Sequence, residues 1–325
     1  MLHLTTMTAV ARNKLHHGFP SLATDGTTWW CAFRSGRTHV SDDGTVEIWR
    51  EARTGRRASA AGRDARPRWR RVARLRSPDP ALADLRDPRL LQTPTGIAVV
   101  ATGTRRGEAP GCRTFLWTST DGATWDEPRP LGPENTWLWS LTHRRTDDRW
   151  LAVTYPFRDT PAADRGAELW LLDPVRAELT DPREVQPGRL PNETGIVDSD
   201  DGLRVLVRRF ADEQSMGDGT AVLGRPAPGD AGWTFTDTDL IIGGPTLHRL
   251  PDGRLLAGGR VRDPEPRTVL WQLTEDDRLV ELLALPSGGD CGYPAMINTD
   301  TGVRVIWYSS HEGPTGVYVA DLTVD

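Results

Sequence analysis

The chain has 325 residues, with 40 Lys+Arg against 45 Asp+Glu and a formal net charge of −5. That length buries a large core, as two domains or one large unit, and 37% hydrophobic residues argue against general disorder. No apolar run approaches the ~20 residues of a membrane span, and the slightly acidic balance argues against a nucleic-acid binder driven by bulk charge.

Residues 1–15 lack the basic, apolar and small-residue pattern of a secretory signal, so a cytoplasmic location is expected. Cys31, Cys112 and Cys291 are far apart and carry neither a disulfide framework nor metal-ligand spacing. No metal or cofactor is expected. Beyond residue 15, one unit recurs: an apolar entry, a polar turn and a second apolar run. The copies read FPSLATDGTTWWCAFR, DPRLLQTPTGIAVVAT, WSLTHRRTDDRWLAVTY, ETGIVDSDDGLRVLVRR, GPTLHRLPDGRLLAGGR and YPAMINTDTGVRVIWYS. Asp-Gly between apolar runs is a strong hairpin signal. The turns fall at Gly26, Gly96, Asp148, Gly202, Gly253 and Gly302, about fifty residues apart after a longer first interval. Six copies at this period predict an all-β chain, a single six-bladed β-propeller over residues 1–325. The long first interval holds an Arg-rich excursion at about 51–76, with ten arginines from Arg53 to Arg76. It reads as a solvated hairpin more readily than as a polyanion site.

In a propeller the first strand of each blade runs down the central channel and the second returns. The entry of the first and the exit of the second therefore ring one axial pocket. The entries are His16–Pro20, Asp84–Pro88, Trp137–Trp139, Pro191–Glu193, Gly243–Pro245 and Gly289–Pro294. The exits supply Arg34, Arg208 beside Arg209, Arg260, and Tyr308 followed by His311 and Glu312. Arginines from three blades on one axis imply an anionic ligand, a carboxylate or a phosphate. Strand alternation turns one of Arg208 and Arg209 inward, and spacing favours Arg208. Trp139 and Trp137 suit either ring stacking or blade packing. His311, with no second histidine nearby, suits the rim. Arg86 and Asp290 belong to two of the entries.

These residues resemble those of the sialidases (neuraminidases). The order along the chain matches: Arg34, then Glu193, Arg208, Arg260 and Tyr293. The segment STDGATW at 119–125 is similar to the Asp-box turn that joins the outer strands of a sialidase-type blade. Ser41–Gly44 and Gly232–Phe235 look like eroded relatives. The chain is closer still to sialidase-like bacterial proteins with DLRDP, PNE, GGP and YSSHEG segments. The resemblance implies Tyr293 as nucleophile, Glu193 as its base, and Arg34, Arg208 and Arg260 as a carboxylate clamp. Arg86, Asp290, Trp139, Tyr308 and His311 would complete the substrate contacts. It departs from the family in lacking Arg-Ile-Pro after the first arginine and any clear loop for the acid. Asp87, at a blade entry, is preferred over Asp42 and Asp43, which shape a turn. The implied partner is a small anionic sugar or another acidic small molecule. A lyase, cyclase or tailoring enzyme, and a non-catalytic binding propeller, are the rival readings.

Overall fold

The computed structural model describes residues 1–52, 69–158, 160, 165–186, 191–212, 217–228 and 232–325. They form 24 strands in six four-stranded antiparallel sheets, arranged as the blades of a propeller. Blade one runs β2 (His16–Thr24), β3 (Trp29–Gly36), β4 (Thr45–Glu51) and β5 (Trp69–Leu75). The Arg-rich excursion is thus partly regular structure, since Trp69–Leu75 is the blade's outermost strand. Residues 53–68 lie outside the described residues. The inner strands of blades two to six are β6 (Asp84–Thr93), β10 (Thr136–Arg144), β14 (Pro191–Ser199), β18 (Gly243–Arg249) and β22 (Gly292–Thr299). Each pairs with the strand that follows it, as the repeat predicts.

All six predicted turn anchors have positive φ: 86° at Gly26, 156° at Gly96, 57° at Asp148, 112° at Gly202, 92° at Gly253 and 156° at Gly302. That conformation is why Gly or Asp recurs there. The second strands are apolar on both faces because neighbouring blades cover both. In β7 (Gly96–Arg105), Ile97, Val99 and Ala101 pack toward blade one, while Ala98 and Val100 pack toward blade three. A period of two with both faces buried reads as one continuous apolar run.

Blade six is closed by a strand that the repeat does not announce. β1 (Leu2–Ala11) pairs antiparallel with β24 (Gly316–Val324), beyond β22 and β23 (Gly302–Ser309). Leu2 of β1 joins the apolar layer between blades five and six. In blade two, STDGATW bridges β8 (Gly111–Ser119) and β9 (Arg129–Leu131). Asp121 accepts N–H bonds from Ala123 and Thr124 at 2.8 and 2.7 Å, and Trp125 packs on the blade-one/blade-two layer. Gly232–Phe235 instead runs into the fourth strand of blade four: Gly232 precedes β17 (Trp233–Asp237), which follows β16 (Val222–Pro226). Ser41–Gly44 connects β3 to β4, on the pocket end of blade one.

Candidate active site

Every inner strand carries a register shift near its entry. In four blades the shift coincides with an X-Pro pair: Phe19-Pro20, Asp87-Pro88, Gly244-Pro245 and Tyr293-Pro294. A residue before proline normally stays extended, yet φ is 58° at Phe19, 48° at Asp87, 61° at Gly244 and 54° at Tyr293. The three non-glycine residues hold a strained backbone, at a cost of order 1–3 kcal/mol each. All three line one cavity of about 780 Å³ at the entry end of the axis. The bulges aim side chains at the axis.

At the floor of this cavity Tyr293 Oη donates to Glu193 Oε1 at 2.6 Å. Glu193 Oε2 accepts from Arg208 Nη1 and from the Gly244 N–H, each at 2.7 Å. Burial alone would raise the Glu193 carboxyl. The Arg208 charge and these three donors outweigh it and hold Glu193 below the usual carboxylate range. Burial pushes the Tyr293 phenol up, with the Glu193 charge adding to it. Arg208 also donates from Nε and Nη2 to Asp218 Oδ1, at 3.0 and 2.6 Å. Arg209 turns away, to the Thr220 carbonyl and Asp237, so Arg208 is the inward member of the pair.

Asp87 is 5% exposed and lines the cavity, and its Oδ1 is buried without a partner. Burial pushes its carboxyl above the usual range, against the opposing charges of Arg86 and Arg89. Arg86 lies over the Phe19 ring at 4.7 Å and donates to the His39 carbonyl at 2.9 Å. Arg260 faces Tyr293 at 5.7 Å and donates to the Cys291 carbonyl at 3.2 Å. Both arginines line the cavity, and the Nε atom of each is buried and unpartnered.

Arg34 is the principal correction. It is fully buried and does not line the cavity. Its Nε donates to Asp84 at 2.7 Å, and its Nη atoms to the carbonyls of Thr38 and Ser41. Ser41–Gly44 therefore covers a buried ion pair instead of forming an Asp-box; a Cβ on Gly44 would stand 1.9 Å from Asp84 Oδ1. Asp43 in the same segment accepts from the Arg37 N–H, as a turn residue does.

Three other expected contacts also lie off the cavity. Trp139 is 2% exposed and packs edge-on to Tyr293 at 5.3 Å, facing a second cavity of about 530 Å³ farther along the channel. Tyr308 is fully buried and donates to Asp290 Oδ1 at 3.1 Å. His311 is exposed and bonds to Ser309 Oγ at 2.9 Å. Asp290 does line the cavity. So do His39, Arg106, Arg158 and Arg262, which reasoning from entries and exits passes over. His39, Arg106 and Arg262 follow the exits of second strands, where the alternation of Arg260 with Arg262 is a usable signal.

The fold and site define a six-bladed β-propeller with an arginine- and carboxylate-lined axial pocket. No protein-family model and no curated protein sequence matches the chain. Among solved structures, it is similar to a protein of unknown function from Dyadobacter fermentans, at TM-score 0.76 and 18% identity over 100% of this chain and 99% of that one. It is also similar to the Penicillium chrysogenum α-L-arabinanase complexed with arabinobiose, at TM-score 0.65 and 12% identity over 98% of each chain. The Trypanosoma rangeli sialidase in complex with the inhibitor DANA aligns at TM-score 0.66 and 10% identity. That alignment covers 95% of this chain and 55% of the sialidase. Glycoside hydrolases thus stand among the structural neighbours. Among the described residues no helix is long and apolar enough to cross a membrane.

Proposed function

We propose that the chain is a sialidase-like glycoside hydrolase acting on a small carboxylate-bearing sugar. The observation that supports this most is the Tyr293–Glu193 pair, 2.6 Å apart at the floor of an arginine-lined pocket. An anomeric centre bearing a carboxylate repels an anionic nucleophile. A neutral phenol avoids that repulsion, and tyrosine nucleophiles are a known exception to the two-carboxylate scheme. Tyr293 Oη attacks the anomeric carbon while its proton passes to Glu193 Oε1. The glycosidic oxygen leaves with the proton of Asp87, whose raised pKa keeps that proton in place. Asp87, now ionised, then takes a proton from the water that releases the sugar from Tyr293. Arg86 and Arg260, which both line the pocket, hold the sugar carboxylate. Arg208 contributes chiefly by keeping Glu193 ionised.

The test is turnover of a fluorogenic sialoside by the wild type and Tyr293→Phe, with DANA binding measured alongside. The expected result is a variant that binds DANA but does not turn over; full activity in it would sink the mechanism. A wild type that binds without turnover would move the pocket to another reaction class or to a binding role.

A further inference from the structure

We propose that His16, His39 and Asp290 form a site for one first-row divalent metal ion, opening on the axial pocket. Three distant segments bring these donors together: β2, the β3–β4 loop, and the segment just before β22. His16 Nε2 and His39 Nδ1 each stand 2.7 Å from the same atom, Asp290 Oδ2, and the three donor atoms lie within 4.8 Å of one another. Two imidazoles and a carboxylate with one side open is a donor set used by catalytic zinc and non-haem iron sites.

The surroundings fix each donor. Asp290 Oδ1 accepts from Tyr308 Oη at 3.1 Å, and the Asp290 N–H donates to Ser310 Oγ at 2.9 Å. Arg86 Nη1 donates to the His39 carbonyl at 2.9 Å, and Phe19 stands edge-on to the His39 ring at 5.1 Å. His16 is 7% exposed and its Nδ1 is buried without a partner, so its Nε2 side is the ring's one polar anchor. Such outer partners orient metal ligands. The nearby guanidinium groups of Arg34 and Arg86 both pair with Asp84, which offsets one of their two charges.

His39 and Asp290 both line the cavity, so the open side of the site faces any ligand held there. An ion in this position would draw an anionic oxygen of the ligand, beside the blade whose own Arg34 is turned away. The two nitrogen donors favour zinc or nickel over calcium or magnesium, which prefer oxygen.

Calorimetric titration of the chelator-stripped full chain with Zn²⁺ and Ni²⁺, and with Ca²⁺ and Mg²⁺ as controls, tests this without reference to turnover. It therefore stands or falls apart from the glycosidase reading. The wild type and His143→Ala should take up one ion per chain; His39→Ala and Asp290→Asn should bind at least about ten-fold more weakly. Zn²⁺ should raise the unfolding temperature of the wild type but not of His39→Ala. Should Asp290→Asn fail to fold, His39→Ala decides. The proposal is overturned by no one-to-one uptake tighter than about millimolar, by unchanged affinity in His39→Ala, or by equal affinity for Ca²⁺.

Discussion

Gly244 lies against the ring of Tyr293, so closely that a Cβ at position 244 would stand 2.7 Å from Cγ and Cδ2 of the tyrosine. The same residue gives its N–H to Glu193 Oε2 at 2.7 Å. One position thus sets the ring and braces the carboxylate that receives its proton. Gly244→Ala should displace Tyr293 and add about 1–2 kcal/mol of left-handed backbone strain at φ 61°. The expected outcome is a lower unfolding temperature and strongly reduced sialoside turnover; unchanged turnover would show that the ring need not sit where it does.

Glu193→Gln keeps an oxygen for the Tyr293 hydroxyl but removes the base. Turnover should fall by about 10²–10⁴-fold. DANA binding should change far less, since Arg86 and Arg260 do not depend on Glu193 for a hydrogen bond. A parallel loss of binding and turnover would make Glu193 a structural residue.

The pH profile follows from two opposed shifts. Glu193 must be ionised and is held below its ordinary range, so activity is lost on acidification only once pH falls through that lowered value. Asp87 must be protonated and is raised, so activity is lost as pH climbs through its raised value. The optimum should lie between them. In kcat/KM against pH, Asp87→Asn should remove the alkaline limb as well as lower the plateau. An alkaline limb that persists unchanged would assign the acid elsewhere.

Asp84 binds two arginines at once, Arg34 at 2.7 Å and Arg86 at 3.1 Å, with all three side chains at most 5% exposed. Asp84→Asn leaves both cations without that charge. Breaking a buried pair in this way costs about 3–5 kcal/mol, readable as a shift in the urea midpoint. A loss below about 1 kcal/mol would show that the carbonyls of Thr38, Ser41 and His39 suffice for the two guanidinium groups.

The propeller was legible because each blade repeats a backbone requirement that the residue types betray: the six positive-φ turns and the two-sided apolar second strands. Tyr293, Glu193, Asp87 and Arg86 were legible for the same reason, since blade position determines which entry faces the axis. Arg34 occupies an equivalent exit, yet the return of Ser41–Gly44 over it and the arrival of Asp84 from blade two are tertiary events without a local pattern. Trp139 was misplaced through register: the shift between Leu138 and Ser140 leaves Trp137, not Trp139, on the cavity. His16, His39 and Asp290 meet across separations of 274 and 251 residues, which no motif spacing can express. β1 was unannounced because it is a single strand completing a blade, not a copy of the repeating pair.

That strand also bears on the order of assembly. β1 precedes the other described strands along the chain and β24 follows them, and Leu2 pairs with Val324. Blades one to five are each built from contiguous chain, but blade six joins β1 to β22, β23 and β24, which are distant from it in sequence. Bringing segments about 320 residues apart together costs about 5 kcal/mol of chain entropy by the logarithmic closure law. Until β1 docks, β24 presents an unpaired strand edge, a template for a neighbouring chain. The seam between β1 and β24 is thus the place where this fold is most exposed to mispairing with a neighbouring chain.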